Sequence, residues 1–436
     1  MQDVDVLVVG GGPAGCAAAI AAGREGTRTL LVEQYGFLGG MGTAGLVPAF
    51  CPFSDGVRAV VRGVGLEILT EMKAGMPHVE PAALDWVPVD PERLKVVYER
   101  RVLEAKGQVL LLTRFVDVVW GAEGVIAAAV VHCKSGLRRV LARVVIDCTG
   151  DADVVAAAGL PYEKGDAETG ALQPCTLCFV LAGVDNARMQ AWLRAEGGRN
   201  LLLEEVIGRA KAAGDLHIPE DAANVAFQSA TTIGLNFSHV FDVDGTDAEQ
   251  LSRAHVEGRR LVRHLTDFVR RYCPGCENAY LVSSGVQIGV RETRRIVGEY
   301  VLTREDYLAR RSFADEIARN AYYLDVHGGG SDAAGEVGDR GERLAQSEPY
   351  GPGESHGIPY RCLIPRDVQN VLVAGRCIST DRAVQGATRT MPNCLATGEA
   401  AGCAASWAAA AHGGDVRAVD VVALRERLRG WGAYLP

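Results

Sequence analysis

Four groups of residues in this chain are of a type and spacing that can do chemistry. Gly10-Gly11-Gly12-Pro13-Ala14-Gly15 has the spacing G-x-G-x-x-G. In a dinucleotide site the first glycine makes a tight turn, the second lets backbone approach a pyrophosphate, and the third lets helix pack on strand. Glu33 follows about 20 residues on, where a carboxylate takes ribose hydroxyls. A glycine-rich turn without a ligand is the plainer alternative. Asp325-Val326-His327 places an acid and an imidazole on one face of an apparent strand, and a histidine oriented by an acid makes a general base. It reads equally as a strand-end histidine bonded to a loop, and His239 is a lesser candidate. Arg291 lies in Ser283 to Arg295, read as one strand. There it shares a face with Gln287, Gly289, Thr293 and Arg295, opposite Val286, Ile288 and Val290. Its planar fork of donors suits a carboxylate or a developing negative charge. The competing reading has Arg291, Arg294 and Arg295 bracing a domain interface through ion pairs with Glu292 and Glu299.

Two C-x-x-C spacings, Cys175 to Cys178 and Cys273 to Cys276, imitate a four-thiolate zinc site. The first pair falls in a predicted strand, where residues three apart point to opposite faces. The second sits in a turn after a helix, with no thioredoxin-like surroundings. No metal site is expected from them, and the 9 histidines form no metal motif.

Regular elements must hold these residues in place. Val4 to Val9 reads as a buried strand, Cys16 to Arg24 as an Ala-rich helix, and Thr29 to Glu33 as a second strand, which together frame the glycine motif. Asp90-Pro91 opens a helix with an N-cap acid and a proline at N1, running to about Lys106. A strand is expected from Val109, continued by Thr113 to Val119. A hairpin is expected around Ser135-Gly136. Val144 to Asp151 is a buried strand ending in Thr149-Gly150-Asp151. From about Gly165 to Pro359 the pattern changes. Gln173 to Leu181 and Val282 to Tyr300 read as strands; Ala187 to Glu196, Asn200 to Ala213 and Asp247 to Tyr272 read as helices. Gly328 to Gly357 has no apolar period and reads as a lid or surface loop. Val371 to Arg376 is again a strand running into glycine, and Met391 to Ala411 is a long helix of small residues.

The chain has 436 residues, 48% hydrophobic and 23% charged. That is ordinary globular composition, long enough for two domains. Forty-five basic against 54 acidic residues give a net charge of −9, which argues against nucleic acid as a partner. No run of 18 apolar residues and no basic leader stand out, so neither a membrane span nor an export signal is expected. With 12 cysteines the simplest expectation is reduced thiols in the cytoplasm.

At Gly36 to Gly45 the sequence resembles the two-dinucleotide-binding flavoproteins, and more narrowly the FAD-dependent oxidoreductase family, relatives of the fumarate reductase flavoproteins. Three further stretches carry the resemblance: Gly289 to Tyr300, Ile358 to Pro365, and Ala374 to Ser379. The resemblance implies a Rossmann-like FAD-binding domain of the glutathione-reductase type, residues 1–164 and 360–436, with an inserted α+β substrate domain at 165–359. It implies that Gly10, Gly12, Pro13, Ala14, Gly15, Glu33 and Gln34 bind the cofactor, and that Gly39, Gly40, Met41 and Thr43 run beside the pyrophosphate towards the flavin. Backbone near Val116 would meet adenine. Thr149, Gly150 and Asp151 form a second fingerprint, and Gly375, Arg376 and Met391 approach the flavin. Gly289 would let its strand approach the flavin too. The catalytic set implied is Arg291, His327, Tyr360 and Arg361. One departure is Thr380-Asp381-Arg382-Ala383-Val384, where the family pattern suggests Ala-Thr-His-Glu-Ala.

The sequence therefore reads as an enzyme with FAD, held non-covalently since no His or Cys occupies Gly39 to Gly45. Its expected reaction is two-electron oxidation of a small molecule at a CH–OH, CH–NH or CH–CH bond. A flavin monooxygenase and a flavin electron-transfer subunit are the alternatives. The expected partner is a small-molecule substrate, and a homo-oligomer is left open.

Overall fold

The computed structural model describes residues 2–122, 124–195, 203–328 and 348–436. Most of the predicted lid, at 329–347, and the start of the helix expected from Asn200 lie outside them.

The apolar run Val4 to Val9 is buried on both faces, as a central parallel strand requires. Gln2–Val9 pairs in parallel with Thr29–Val32 on one side and with the long strand Gly136–Asp147 on the other, with Val9 opposite both Val32 and Asp147. Gln108–Leu110 extends the sheet beyond Thr29–Val32, also in parallel. The far edge of Gly136–Asp147 is shared. Its first half forms a hairpin with Ile126–Cys133, while Val145 to Asp147 pair in parallel with Val371–Val373. This is a mixed α/β fold with a parallel sheet at its centre. The strand beginning near Val109 does not run on through Thr113. Leu112 takes a left-handed φ of 52°, and the next strand, Arg114–Trp120, turns to pair antiparallel with Ile126–Cys133.

Helices Pro13–Arg24 and Met391–Ala411 pack against this sheet and against each other. The contact is close because Gly398 and Gly402 fall one turn apart on it. A Cβ at either would lie 2.1 Å from the carbonyl oxygen of Ala14 or Ala18. The same helix buries Glu399, whose Oε1 accepts from the Val64 N–H at 3.2 Å; burial pushes this carboxyl up to about 8. Helix Pro91–Glu104 starts as expected, with Asp90 accepting from the Arg93 N–H at 3.0 Å.

A second, antiparallel sheet has the order Asn224–Phe227, Thr232–Asn236, Phe179–Ala182, Tyr280–Ser284. Helix Ala248–Tyr272, capped by Asp247, shares an apolar core with it. The strand expected from Gln173 is shorter, with Cys175 and Thr176 making single bridges to Val240 and Gly289. Ser283 to Arg295 is not one strand. Gly285 leaves the sheet, its neighbour Gln287 donates to the Ala44 carbonyl, and regular pairing resumes only at Arg294–Ile296. Val286 is consequently 59% exposed, while Ile288 and Val290 are buried. The second core runs from Cys175 to Val290. Leu302, Tyr307, Ile317, Leu324 and Ile358 instead join the core of the first sheet. Among the described residues the second core thus takes no residue beyond Val290. Among the described residues no helix is long and apolar enough to cross a membrane.

Candidate functional site

The ends of four parallel strands, at Val9, Val32, Cys148 and Ala374, open into a cavity of ≈ 930 Å³ that reaches the second sheet. Ligands in open α/β sheets sit at the carboxyl ends of the strands. The glycine motif stands at this edge with its three parts separated. Gly10 has a φ of +97°, and a Cβ there would lie 2.6 Å from the Cys148 carbonyl oxygen. A Cβ on Gly15 would lie 1.8 Å from the Gly10 oxygen. A Cβ on Gly12 meets nothing nearer than 3.9 Å and would enter the cavity. Pro13, Ala14, Gln34, Gly40 and Met41 line the same end.

Glu33 is buried beside them. Its Oε2 accepts from the Gly11 N–H at 2.6 Å and its Oε1 from the Tyr35 N–H at 2.9 Å. Burial raises this carboxyl, against the pull of those N–H groups. Gly15, Gly39 and Thr43 shape the site without facing it. Gly39 donates to the Gly11 carbonyl at 2.8 Å, and Thr43 Oγ1 to that of Leu38 at 2.8 Å, which clamps the two loops together. Val116 is 49% exposed and faces a shallow outer groove; Thr113, Arg114 and Phe115 line the cavity there instead.

Thr149, Gly150 and Asp151 all line the cavity. Asp151 Oδ1 accepts from Thr293 Oγ1 and Arg376 Nη2, both at 2.6 Å. Arg376 Nη1 is buried with no partner among the described residues. Gly375 and Met391 complete this wall. Asp147, not singled out in the sequence, holds the turn. It accepts from the Thr149 N–H and hydroxyl and from Val154 N–H, and burial pushes it up to about 6.

The far end of the cavity gathers polar groups from distant segments. Arg291 lines it, with Nη1 donating to the Pro174 carbonyl at 2.7 Å and to Thr176 Oγ1 at 2.9 Å. Asp325 Oδ1 lies 3.2 Å from His327 Nε2, and Asp325 Oδ2 accepts from Arg389 Nη2 at 2.8 Å. Burial and the Arg291 charge push His327 down to about 3, so it is neutral near pH 7. Burial alone would raise Asp325, but the charges around it bring it well below the usual carboxylate range. Arg389 holds the carboxylate against that neutral imidazole. His327 Nδ1 is buried without a hydrogen-bond partner among the described residues. The rings of His327 and His239 meet edge to face, centroids 5.0 Å apart, and Glu220 Oε1 lies 2.8 Å from His239 Nδ1. Gln173 accepts from the His327 N–H and donates to Gln385, which donates to the Arg291 carbonyl.

Two predicted catalytic residues are not here. Tyr360 is buried in the first core, its hydroxyl donating to the Val416 carbonyl at 2.9 Å. Arg361 sits on the surface, paired with Asp315 at 2.8 Å and stacked on Tyr300. Both face away because the Tyr360–Leu363 turn packs against the C-terminal segment. Nor does the Asp381-Arg382 departure touch the cavity. Asp381 caps helix Arg382–Thr388, and Arg382 pairs with Glu292. Of the three arginines, Arg294 pairs with Asp153 and Arg295 with Glu292, whereas Glu299 is taken by Arg417. Cys175 and Cys178 fall in different apolar clusters, and Cys273 and Cys276 are buried thiols. Glu220, Arg389 and the aromatic wall of Trp86, Tyr322 and Tyr323 were missed. The Tyr-Tyr pair just before Asp325 was a usable signal; an isolated Glu220 gave none.

A family model described as FAD dependent oxidoreductase matches residues 5–428. Thiamine thiazole synthase of Pyrobaculum calidifontis is 30% identical over 169 residues, which are 36% of this chain and 60% of that protein. The corresponding enzyme of Aeropyrum pernix is 32% identical over 184 residues, 39% of this chain and 62% of that one. The chain thus spans about three fifths of the curated relatives it matches. A p-nitrophenol 4-monooxygenase structure from Pseudomonas putida superposes with a TM-score of 0.49 at 11% identity, covering 100% of this chain and 87% of that one.

Proposed function

Because the chain belongs to the FAD dependent oxidoreductase family and is an FAD enzyme, we propose that it removes a hydride and a proton, two electrons and two protons in all, from a small organic molecule at a CH–OH, CH–NH or CH–CH bond. The observation that carries this reading is one continuous cavity. It joins the glycine cradle at Gly10 and Gly12 to the cluster of Arg291, Asp325, His327 and His239. The cradle fits the cofactor: the space at Gly12 is open to a pyrophosphate, and the orphaned Arg376 Nη1 awaits an acceptor. Glu33 would take ribose hydroxyls, and the domain is of the glutathione-reductase type, holding FAD without a covalent link. When bound, FAD supplies the two-electron acceptor.

The chain's own residues do the rest. His327 is poorly placed to take the proton, because one ring nitrogen faces Asp325 and the other is buried. His239 takes it on Nε2, with the Glu220 carboxylate 2.8 Å from Nδ1 favouring the imidazolium that forms. His327 and Asp325 brace that imidazole edge to face. Trp86, Tyr322 and Tyr323 give this end of the cavity an aromatic wall for the substrate's apolar body.

The test is anaerobic bleaching of the holoprotein's flavin by a metabolite library, with product mass analysis. A product two hydrogens lighter than its substrate supports the reading. Bleaching by NADPH alone, followed by oxygen insertion, overturns it in favour of a monooxygenase.

A further inference from the structure

Arg291 is the unusual charge in the cavity. Its bonded acceptors, the Pro174 carbonyl and Thr176 Oγ1, are both neutral. Thr176 in turn donates its hydroxyl proton to the Ser238 carbonyl at 2.8 Å. Nη2 and Nε of Arg291 make no hydrogen bond among the described residues, and no carboxylate there comes within 4.0 Å of it. Two other guanidiniums of the wall, both half-buried, are paired. Arg376 is paired with Asp151 and Arg389 with Asp325. Arg291 is half-buried and faces the cavity, and its planar fork recognises a carboxylate through two parallel bonds.

The charge balance is specific about the missing partner. Arg291, Arg389 and Asp325 interact with one another, and with a neutral His327 they total one net positive charge. Glu220 lies against His239 at 2.8 Å and makes no ion pair with Arg291. A carboxylate matches the single guanidinium through two parallel bonds, whereas a phosphate monoester brings a second charge that Arg291 alone does not meet. Around this charge the wall is aromatic and apolar, from Trp86, Tyr322, Tyr323, Pro48 and Pro88. We propose that the cavity binds a monocarboxylate with an apolar or aromatic body, its carboxylate held by Nη2 and Nε of Arg291. This rests on the oxidation proposed above and narrows its substrate.

The probe is benzoate, titrated into the flavin-replete holoprotein and followed by the flavin absorbance change. Benzamide serves as the uncharged isostere and phenyl phosphate as the dianion. Benzoate is expected to bind at least about tenfold more tightly than either, the effect of one charge-assisted pair. Arg291→Met is expected to abolish that preference with flavin content unchanged, and Arg291→Lys to keep part of it. Equal affinity for benzoate and benzamide, tighter binding of phenyl phosphate, no benzoate effect at any soluble concentration, or full benzoate affinity in Arg291→Met each overturns the proposal. If Arg291→Met loses its flavin, the Arg291→Lys series decides: a benzoate preference that is reduced but survives supports the proposal, and a preference equal to that of the wild type overturns it. Benzoate binding without bleaching by any carboxylate leaves this site standing and removes the proposed oxidation. Bleaching by neutral substrates alone does the reverse.

Discussion

Glu220 Oε1 lies 2.8 Å from His239 Nδ1 at the cavity wall, and the His327 ring stands against the same imidazole. A carboxylate beside an imidazole favours its protonated form. Replacing His239 by Asn is therefore expected to slow anaerobic flavin reduction by about 10²–10⁴-fold, the usual worth of a general base. Glu220→Gln, a change in a positioning residue, is expected to alter the pH profile of that rate while flavin content stays constant. Unaltered reduction kinetics in a flavin-replete His239→Asn protein would remove His239 from the reaction.

Gly12 bears no side chain where the cradle is open. Gly12→Val is expected to yield folded, colourless protein, checked by circular dichroism and by assay of FAD released on denaturation. Retention of a full complement of FAD would show that the pyrophosphate lies elsewhere.

Tyr360 serves the core. Tyr360→Phe leaves the Val416 carbonyl without its donor, at a cost of about 1–3 kcal/mol. Denaturant unfolding is expected to register that loss, while the rate of flavin reduction by the bleaching substrate stays at the wild-type value. A collapse in rate at unchanged stability would return Tyr360 to the catalytic set.

Glu399 makes stability depend on pH. Its carboxyl is raised to about 8 in the folded protein, above the ordinary value near 4.3 for the unfolded chain. Between these values the native state holds a proton that the unfolded state has released, so stability falls as pH rises across that window. The loss is on the order of a few kcal/mol. Glu399→Gln keeps an acceptor for the Val64 N–H without this titration. Its melting temperature is expected to exceed that of the wild type at pH 8 and to approach it at pH 5. Parallel curves at both pH values would mean that Glu399 is not held protonated.

The cradle was legible because each of its parts is local. Gly10, Gly12 and Gly15 lie within six residues, and the apolar runs on either side announce the strands that hold them. The C-terminal helix was also legible, down to its limits at Met391 and Ala411. The reaction end was legible only in pieces. Arg291 and His327 were found by side-chain type, but the strand that was to aim Arg291 does not exist, since Gly285 and the Ala44 carbonyl draw the chain out of the sheet. Glu220 and Arg389 gave no signal, because what makes them functional is a partner far away in the chain. Tyr360 and Arg361 were misplaced for the converse reason: a motif specifies side chains, and only packing decides which way a short turn presents them.

The long strand Gly136–Asp147 takes its last parallel neighbour from Val371–Val373, and helix Pro13–Arg24 is seated on Met391–Ala411. The cradle therefore lacks its supports until residues 371–411 have been made. At synthesis rates of roughly 5–20 residues per second, the first strand and its helix wait tens of seconds with one apolar face uncovered. Covering that face is thus a long-range step, of the kind that comes late and leaves apolar surface exposed in folding intermediates.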